Sequence, residues 1–256
     1  MSNRGLYLHE EIDIIGTGSE AYKAHTAARA TGRRDGGAAL VGTWQQCGST
    51  GRWPVVINLW EMQGWEHWAG ILERQYTPSS EQPPGLRRWW ARAARYRSGG
   101  FDRILVPAPF SPTRAELVER GVRGAVQLQE IATVPPGTAE RYLDAVATYW
   151  HAVAARRGLA LVGAWRNAMH SGETVVLWCL PSFRALTDYL GSRGEDPQVR
   201  RWTERARALR LGWRETVLVP SLWCVTHPAW SQATRMRLSP RARRAGVTPR
   251  SGSSSR

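Results

Sequence analysis

Apolar and polar positions alternate along "LYLHEEIDII" at 6–15, the two-residue period of a strand with one face buried. "GTGS" breaks that run and offers Ser19 as the N-cap of a helix reaching about Arg33. "ALVGTWQQC" at 39–47 and "PVVINLWEM" at 54–62 are two further apolar runs around a Gly-rich connection, which predicts a hairpin. Helical spacing returns over 64–76 and 85–97, and "RILVP" at 103–107 closes the series as a short strand. The second part of the chain repeats this order. "QLQEIATV" at 127–134 is ended by Pro135 and Pro136, and Tyr142, Leu143, Val146, Tyr149, Trp150 and Val153 form the stripe of an amphipathic helix. "LVGAW" at 161–165 and "VVLW" at 175–178 predict another hairpin, followed by helices over 182–191 and 196–210 and the strand "TVLVP" at 216–220.

The recurrence extends to the letters. "RRWWARA" at 87–93 matches "RRWTERA" at 200–206 with an offset of 113, and the same offset carries "RILVP" onto "TVLVP" without a gap. "LVGTW" matches "LVGAW" with an offset of 121, and "YLHEEIDI" matches "QLQEIATV" with an offset of 120, so Glu10 falls on Glu130. Such order-preserving similarity is the mark of a tandem duplication. Each unit, 6–115 and 122–228, reads β-α-β-β-α-α-β, the ferredoxin-like arrangement of an antiparallel sheet with helices on one face. The expected fold class is α+β: the bare face of each sheet is covered by the other, so that one chain forms what two subunits would otherwise form.

"LQEIATVPPGTAERYL", "LVGAW", "VVLW" and "DPQVRRWTERAR" ending in "VLVP" resemble the NIPSNAP family, a branch of the dimeric α+β barrel proteins. The first unit shows the same pieces without the prolines and with a longer "TPSSEQPPGL" insertion. The resemblance covers nearly all of the chain before its basic tail and implies an α+β barrel with an enclosed cavity in each half. Related barrels include cofactor-independent monooxygenases, polyketide cyclases, lactone isomerases and haem proteins. No catalytic residue is carried over from them.

A hydrophobic content of 42% with 22% charged residues is that of a globular protein. No apolar run approaches the ~18 residues of a spanning helix, and "MSNRGLYLHEEIDI" lacks a signal peptide's apolar core, so no membrane partner and a cytoplasmic location are expected. Cys47, Cys179 and Cys224 have no metal or disulfide spacing. The net charge of +14 is half tail: the segment from Arg235 onward has seven arginines and no acid, and 231–256 is expected to be disordered. With that excess removed, and with no alternation of basic and aromatic residues on a strand face, nucleic acid is a poor fit as a partner.

The candidate chemistry lies on the strands. Tyr7, His9 and Glu11 share the face expected to point into the barrel, and Asn58 interrupts an apolar run where the second unit has Val176. His9, Glu11 and Asn58 form the first candidate catalytic cluster. Glu10 and Glu130 recur on an otherwise apolar face, where burial would raise a carboxylate's pKa toward that of a general base or acid; capping a helix or pairing with an arginine is the structural alternative. Candidate substrate contacts are Tyr7, Gln46, the recurring Trp44, Trp165, Trp60 and Trp178, and a second cluster of Arg166, Asn167 and His170. Trp89 and Trp202 also recur. Nucleotide-binding, P-loop, zinc-protease and serine-hydrolase motifs are absent, and no metal site is read. The expectation is a monomeric, cofactor-independent enzyme of specialised metabolism acting on a hydrophobic small molecule by acid/base catalysis, as a cyclase, isomerase, lyase or oxygenase. A non-catalytic binding or interaction module is the alternative. A haem protein is a third reading, since one histidine ligand leaves no spacing signature.

Overall fold

The computed structural model describes residues 5–32 and 37–231. Apart from Ser231, the tail expected to be disordered lies outside the described residues. The first half runs β1 (Leu6–Ile14), α1 (Ser19–Gly32), β2 (Ala39–Gln46), β3 (Val55–Met62), α2 (Trp65–Tyr76), α3 (Pro84–Ala93) and β4 (Arg97–Pro107). A short helix, α4 (Arg114–Glu119), leads to β5 (Val126–Thr133). The helix that follows is α5 (Ala139–Ala145) and α6 (His151–Arg156), separated by a π-helical turn at Val146–Trp150. Then come β6 (Ala160–Asn167), β7 (Glu173–Leu180), α7 (Phe183–Ser192), α8 (Pro197–Arg207) and β8 (Gly212–Pro220).

The eight strands form one closed antiparallel barrel in the order β1-β3-β2-β8-β5-β7-β6-β4, and the fold is α+β. Within each half the first strand lies between the third and the fourth, β1 between β3 and β4, β5 between β7 and β8. The halves meet edge to edge, in two short seams: Trp44 to Gln46 pair with Pro220 to Leu218, and Leu105 to Pro107 pair with Asn167 to Trp165. Closure of this kind leaves the seams without an open sheet edge.

Two strands are longer than alternation predicts. β4 begins at Arg97, and β8 at Gly212, at the expense of the helices before them, which stop at Ala93 and Arg207. The sequence "SGGFD" carries no alternation, yet it pairs with β1, and at Gly100 a Cβ would lie 2.6 Å from the Glu11 carbonyl oxygen. Backbone approach, which a side-chain pattern does not encode, extends the strand there.

The repeated "LVGTW" and "LVGAW" are explained by packing. Each strand has a register shift just before its glycine, and a Cβ on Gly42 would meet the Trp44 ring at 2.4 Å, one on Gly163 the Trp165 ring at 2.1 Å. The indole folds back over the residue two positions earlier on its own strand, and only glycine leaves it room. Both rings are fully buried with Tyr7, Ile57, Leu59, Val175 and Leu177 in the barrel lumen. The lumen is therefore packed solid along this stretch, and open space lies between the outer sheet face and the helices.

Candidate functional site

Side chains that point outward from β1 and β5 face the helices, and on that face each half carries a carboxylate at the same position. The Trp60 indole donates to Glu10 at 2.8 Å, and the Trp178 indole to Glu130 at 2.9 Å. A second carboxylate stands directly across the strand pair in each half: Asp102 opposite Glu10, and Glu215 opposite Glu130. Neighbours sharing a face across an antiparallel pair are about 5 Å apart, so the charges of each couple are felt. Around them recur a buried tyrosine (Tyr22, Tyr142), an arginine (Arg97, Arg210) and a helix tryptophan (Trp89, Trp202).

The two copies differ in their space and in their anchoring. In the second half a cavity of ≈ 420 Å³ is lined by Glu130, Glu215, Trp150, Trp202, Trp213 and Arg193 among others. In the first, ≈ 170 Å³ is lined by Glu10, Asp102, Tyr22, Trp60, Trp89 and Trp90 among others. Asn58 adds a hydrogen bond to Glu10 at 3.1 Å, a donor that Val176 cannot supply to Glu130. Arg193 instead grips Glu215 with both terminal guanidinium nitrogens.

Burial, and then the charge of Glu215, push the Glu130 carboxyl up to about 7, with Arg193 and the indole donors of Trp213 and Trp178 opposing. Glu130 is 5% exposed, so desolvation is fully expressed. In the first half Asp102, at the exposed mouth of its pocket, is pushed up to about 6 by the desolvating protein around it and then by Glu10. A carboxyl that titrates near neutrality beside a second carboxyl is an arrangement with which proteins take up and return protons.

The remaining candidates divide between the lumen and the surface. His9 and Glu11 point into the barrel, away from both cavities and from Asn58, which shares the face of Glu10. The first catalytic cluster read from the sequence is thus split between two sides of the sheet. His9 Nε2 lies 2.8 Å from Gln129 Oε1, and its Nδ1 faces Arg103 at 3.5 Å. Arginine can only donate, so Nδ1 is the acceptor and the neutral ring donates through Nε2. Burial and then Arg103 hold the His9 pKa down at about 4. Arg103 also bridges Glu11 of the first half, at 2.5 Å, and Glu173 of the second, at 2.8 Å, and Asn167 donates to Glu173 at 2.9 Å. Burial alone would raise Glu11; the Arg103 guanidinium brings it below the usual carboxylate range.

Tyr7 donates to Glu61 at 2.8 Å, and Gln46 to the Arg52 carbonyl at 2.6 Å. Arg166 pairs with Glu140 at the surface, and His170 is exposed in the turn after β6. Asn167 and His170 both act on Glu173, whereas Arg166 is engaged by Glu140, and Trp44 and Trp165 fill the lumen. Neither cavity is lined by a histidine, the ligand on which the haem reading rests.

Residues not singled out from the sequence complete the site: Asp102, Glu215, Tyr22, Tyr142, Arg97, Arg210 and Arg193. Six of them were visible as pairs, since the offset of 113 sets Asp102 on Glu215 and Arg97 on Arg210, and that of 120 sets Tyr22 on Tyr142.

No family model matches the chain, and no curated protein matches it. Among solved structures, an anthrone oxidase-like protein superposes with a TM-score of 0.61 at 9% identity, over 86% of this chain and 94% of its own. A monooxygenase-like protein from Lactobacillus acidophilus NCFM gives 0.59 at 10% identity, over 85% and 94%. Identities this low carry the fold alone. A NIPSNAP domain protein from Burkholderia xenovorans is similar at 21% identity over 42% of this chain and 99% of its own, with a TM-score of 0.33.

Proposed function

We propose that the chain is an acid–base enzyme that works without a cofactor on a hydrophobic small molecule, with the second-half cavity as its active site and Glu130 as proton acceptor. The observation that carries this is the buried Glu130 carboxyl, raised to about 7 beside the anchored Glu215, on the wall of a ≈ 420 Å³ cavity lined by tryptophans. Glu130 takes a proton from carbon or oxygen next to a carbonyl group. Glu215, fixed by Arg193 opposite Glu130, adds to the upward shift that makes Glu130 basic. Isomerisation, ring closure, elimination and attack of the resulting carbanion on dioxygen all begin with this step; the names of the two neighbours with the higher scores favour the last.

This reading also takes the chain as two ferredoxin-like units, 6–115 and 122–228, on the grounds of their shared element order, strand neighbours and carboxylate pairs. A barrel closed within one chain makes a monomer the expected state, and with no helix among the described residues long and apolar enough to cross a membrane, the cytoplasm is the expected location. His9 and Glu11 are assigned to holding the lumen together, and Glu10 with Asn58 and Asp102 to a second, smaller pocket. A rival reading as a non-catalytic binding module is favoured by that pocket, because α2 buries none of its residues and α3 only Ala93, leaving aromatic rings accessible.

The test is deuterium exchange at the acidic CH2 of 2-tetralone, followed by proton NMR in D2O. Exchange faster than buffer, rising with pD around neutrality and slowed by about 10²-fold or more in Glu130→Gln, supports the assignment. Exchange at the buffer rate in the wild type, or an unchanged rate in Glu130→Gln, rules it out.

A further inference from the structure

The second-half cavity has a feature without a counterpart in the first. The helix after β5 is interrupted by a π turn at Val146–Trp150, whereas α1 runs unbroken from Ser19 to Gly32 and has Ala30 at the position aligned with Trp150. A π turn inserts a residue into the helical register and redirects the side chains around it. Here it sets Trp150 on the cavity wall, 1% exposed, stacked on Trp202 at 5.8 Å with an interplanar angle of 10°. The indole Nε1 of Trp150 has no hydrogen-bond partner within the described residues. A buried donor left unpaired is costly, and at a cavity wall a ligand acceptor removes that cost.

The charge of the wall adds a second constraint. Arg193, Arg200, Arg207 and Arg210 line the cavity against the acids Glu204, Glu215 and Glu130. Arg193 is taken up by Glu215. The remainder leaves an excess of positive charge over a floor of stacked aromatic rings.

We propose that this cavity takes a planar aromatic carbonyl compound carrying negative charge, and that the Trp150 N–H is the hydrogen-bond donor for its carbonyl oxygen. This rests on reading the cavity as the active site. When Glu130 removes the proton beside the carbonyl, the C–H electron pair forms the new C=C bond and the C=O π pair moves onto oxygen. Trp150 donates a hydrogen bond to that oxygen and keeps its own proton, while the arginines hold the ligand's fixed charge.

The experiment is a fluorescence titration of the full chain with 1-hydroxy-2-naphthoate, beside naphthalene as the uncharged ring, in wild type and Trp150→Phe. Phenylalanine keeps an aromatic stack and lacks the N–H. The expected result is naphthoate binding weakened about 10-fold or more in Trp150→Phe, with naphthalene binding unchanged. Equal naphthoate affinity in wild type and Trp150→Phe overturns the proposal, as does a wild type that binds naphthalene and not the naphthoate. Should Trp150→Phe not fold, the indole N–H resonances of 15N-Trp wild type decide: one moves with naphthoate and not with naphthalene, or the proposal falls. Trp150-dependent binding without tetralone exchange would retain this site and remove the acid–base reading.

Discussion

Replacing Glu130 by glutamine tests the electrostatics of the site with no substrate in hand. The carboxyl sits at about 7 in the folded chain against 4.5 as an ordinary side chain. Between those values the folded state holds a proton that the unfolded state has released, so stability falls as pH rises. One pKa unit is about 1.4 kcal/mol, so the wild type gives up about 3 kcal/mol from this group between pH 4.5 and about 8. Glutamine cannot ionise, and its amide oxygen still accepts from the Trp178 indole. The difference in unfolding free energy, variant minus wild type, should therefore rise with pH by about 3 kcal/mol across that window and flatten above it. Urea unfolding followed by tryptophan fluorescence at several pH values measures it, and taking the difference cancels the titrations the two proteins share. Glu215→Gln removes the like charge that comes second among the causes, so the wild-type fall should be shallower in that background. A difference that stays constant across the window would refute the account of Glu130.

His9 bends stability the other way: folded at about 4, it stays neutral while the unfolded ring takes a proton, so the wild type should lose about 3 kcal/mol as pH falls from 6.5 to 4, a loss that His9→Gln avoids in acid unfolding curves. Arg103→Met strands Glu11 and Glu173 and should cost about 3–5 kcal/mol in urea titration at neutral pH, recovered in part by adding Glu173→Gln; a loss below about 1 kcal/mol would mean the bridge carries little. Gly42→Ala and Gly163→Ala should each cost at least about 1–3 kcal/mol, because the atom in the way is a buried indole ring, and a thermal midpoint unmoved by either substitution would contradict the packing described for the lumen.

Element order was legible because alternation and helical stripes are written locally, and the repeat doubled every signal. The carboxylate couples were less so. Asp102 and Glu215 lie in the early parts of β4 and β8, where glycines and loss of alternation mask the strand, so one member of each pair was out of view. Glu10 and Glu130 could be seen because they interrupt an apolar face. Asn58 was grouped with His9 and Glu11 because a single strand shows which of its own residues share a face and not which residue of the next strand it meets; register, with Glu10 opposite Asn58, is a property of the pair. The π turn at Val146–Trp150 was hidden for a different reason. The apolar stripe from Tyr142 to Val153 continues across the π turn, and periodicity alone reads it as one regular helix.

The two seams, where β2 meets β8 and β4 meets β6, are formed inside one covalent chain. In an assembly of identical subunits every substitution is made twice, once on each side of the symmetry axis, and a change that helps one pocket must be tolerated in its twin. Tethering the sides together lifts that constraint, and each half can drift alone as long as the seams still match. Asn58 against Val176, Ala30 against Trp150, and Gly100 against Trp213 show how far the two halves differ: a tight, doubly anchored pocket on one side and a roomy, arginine-rimmed one on the other.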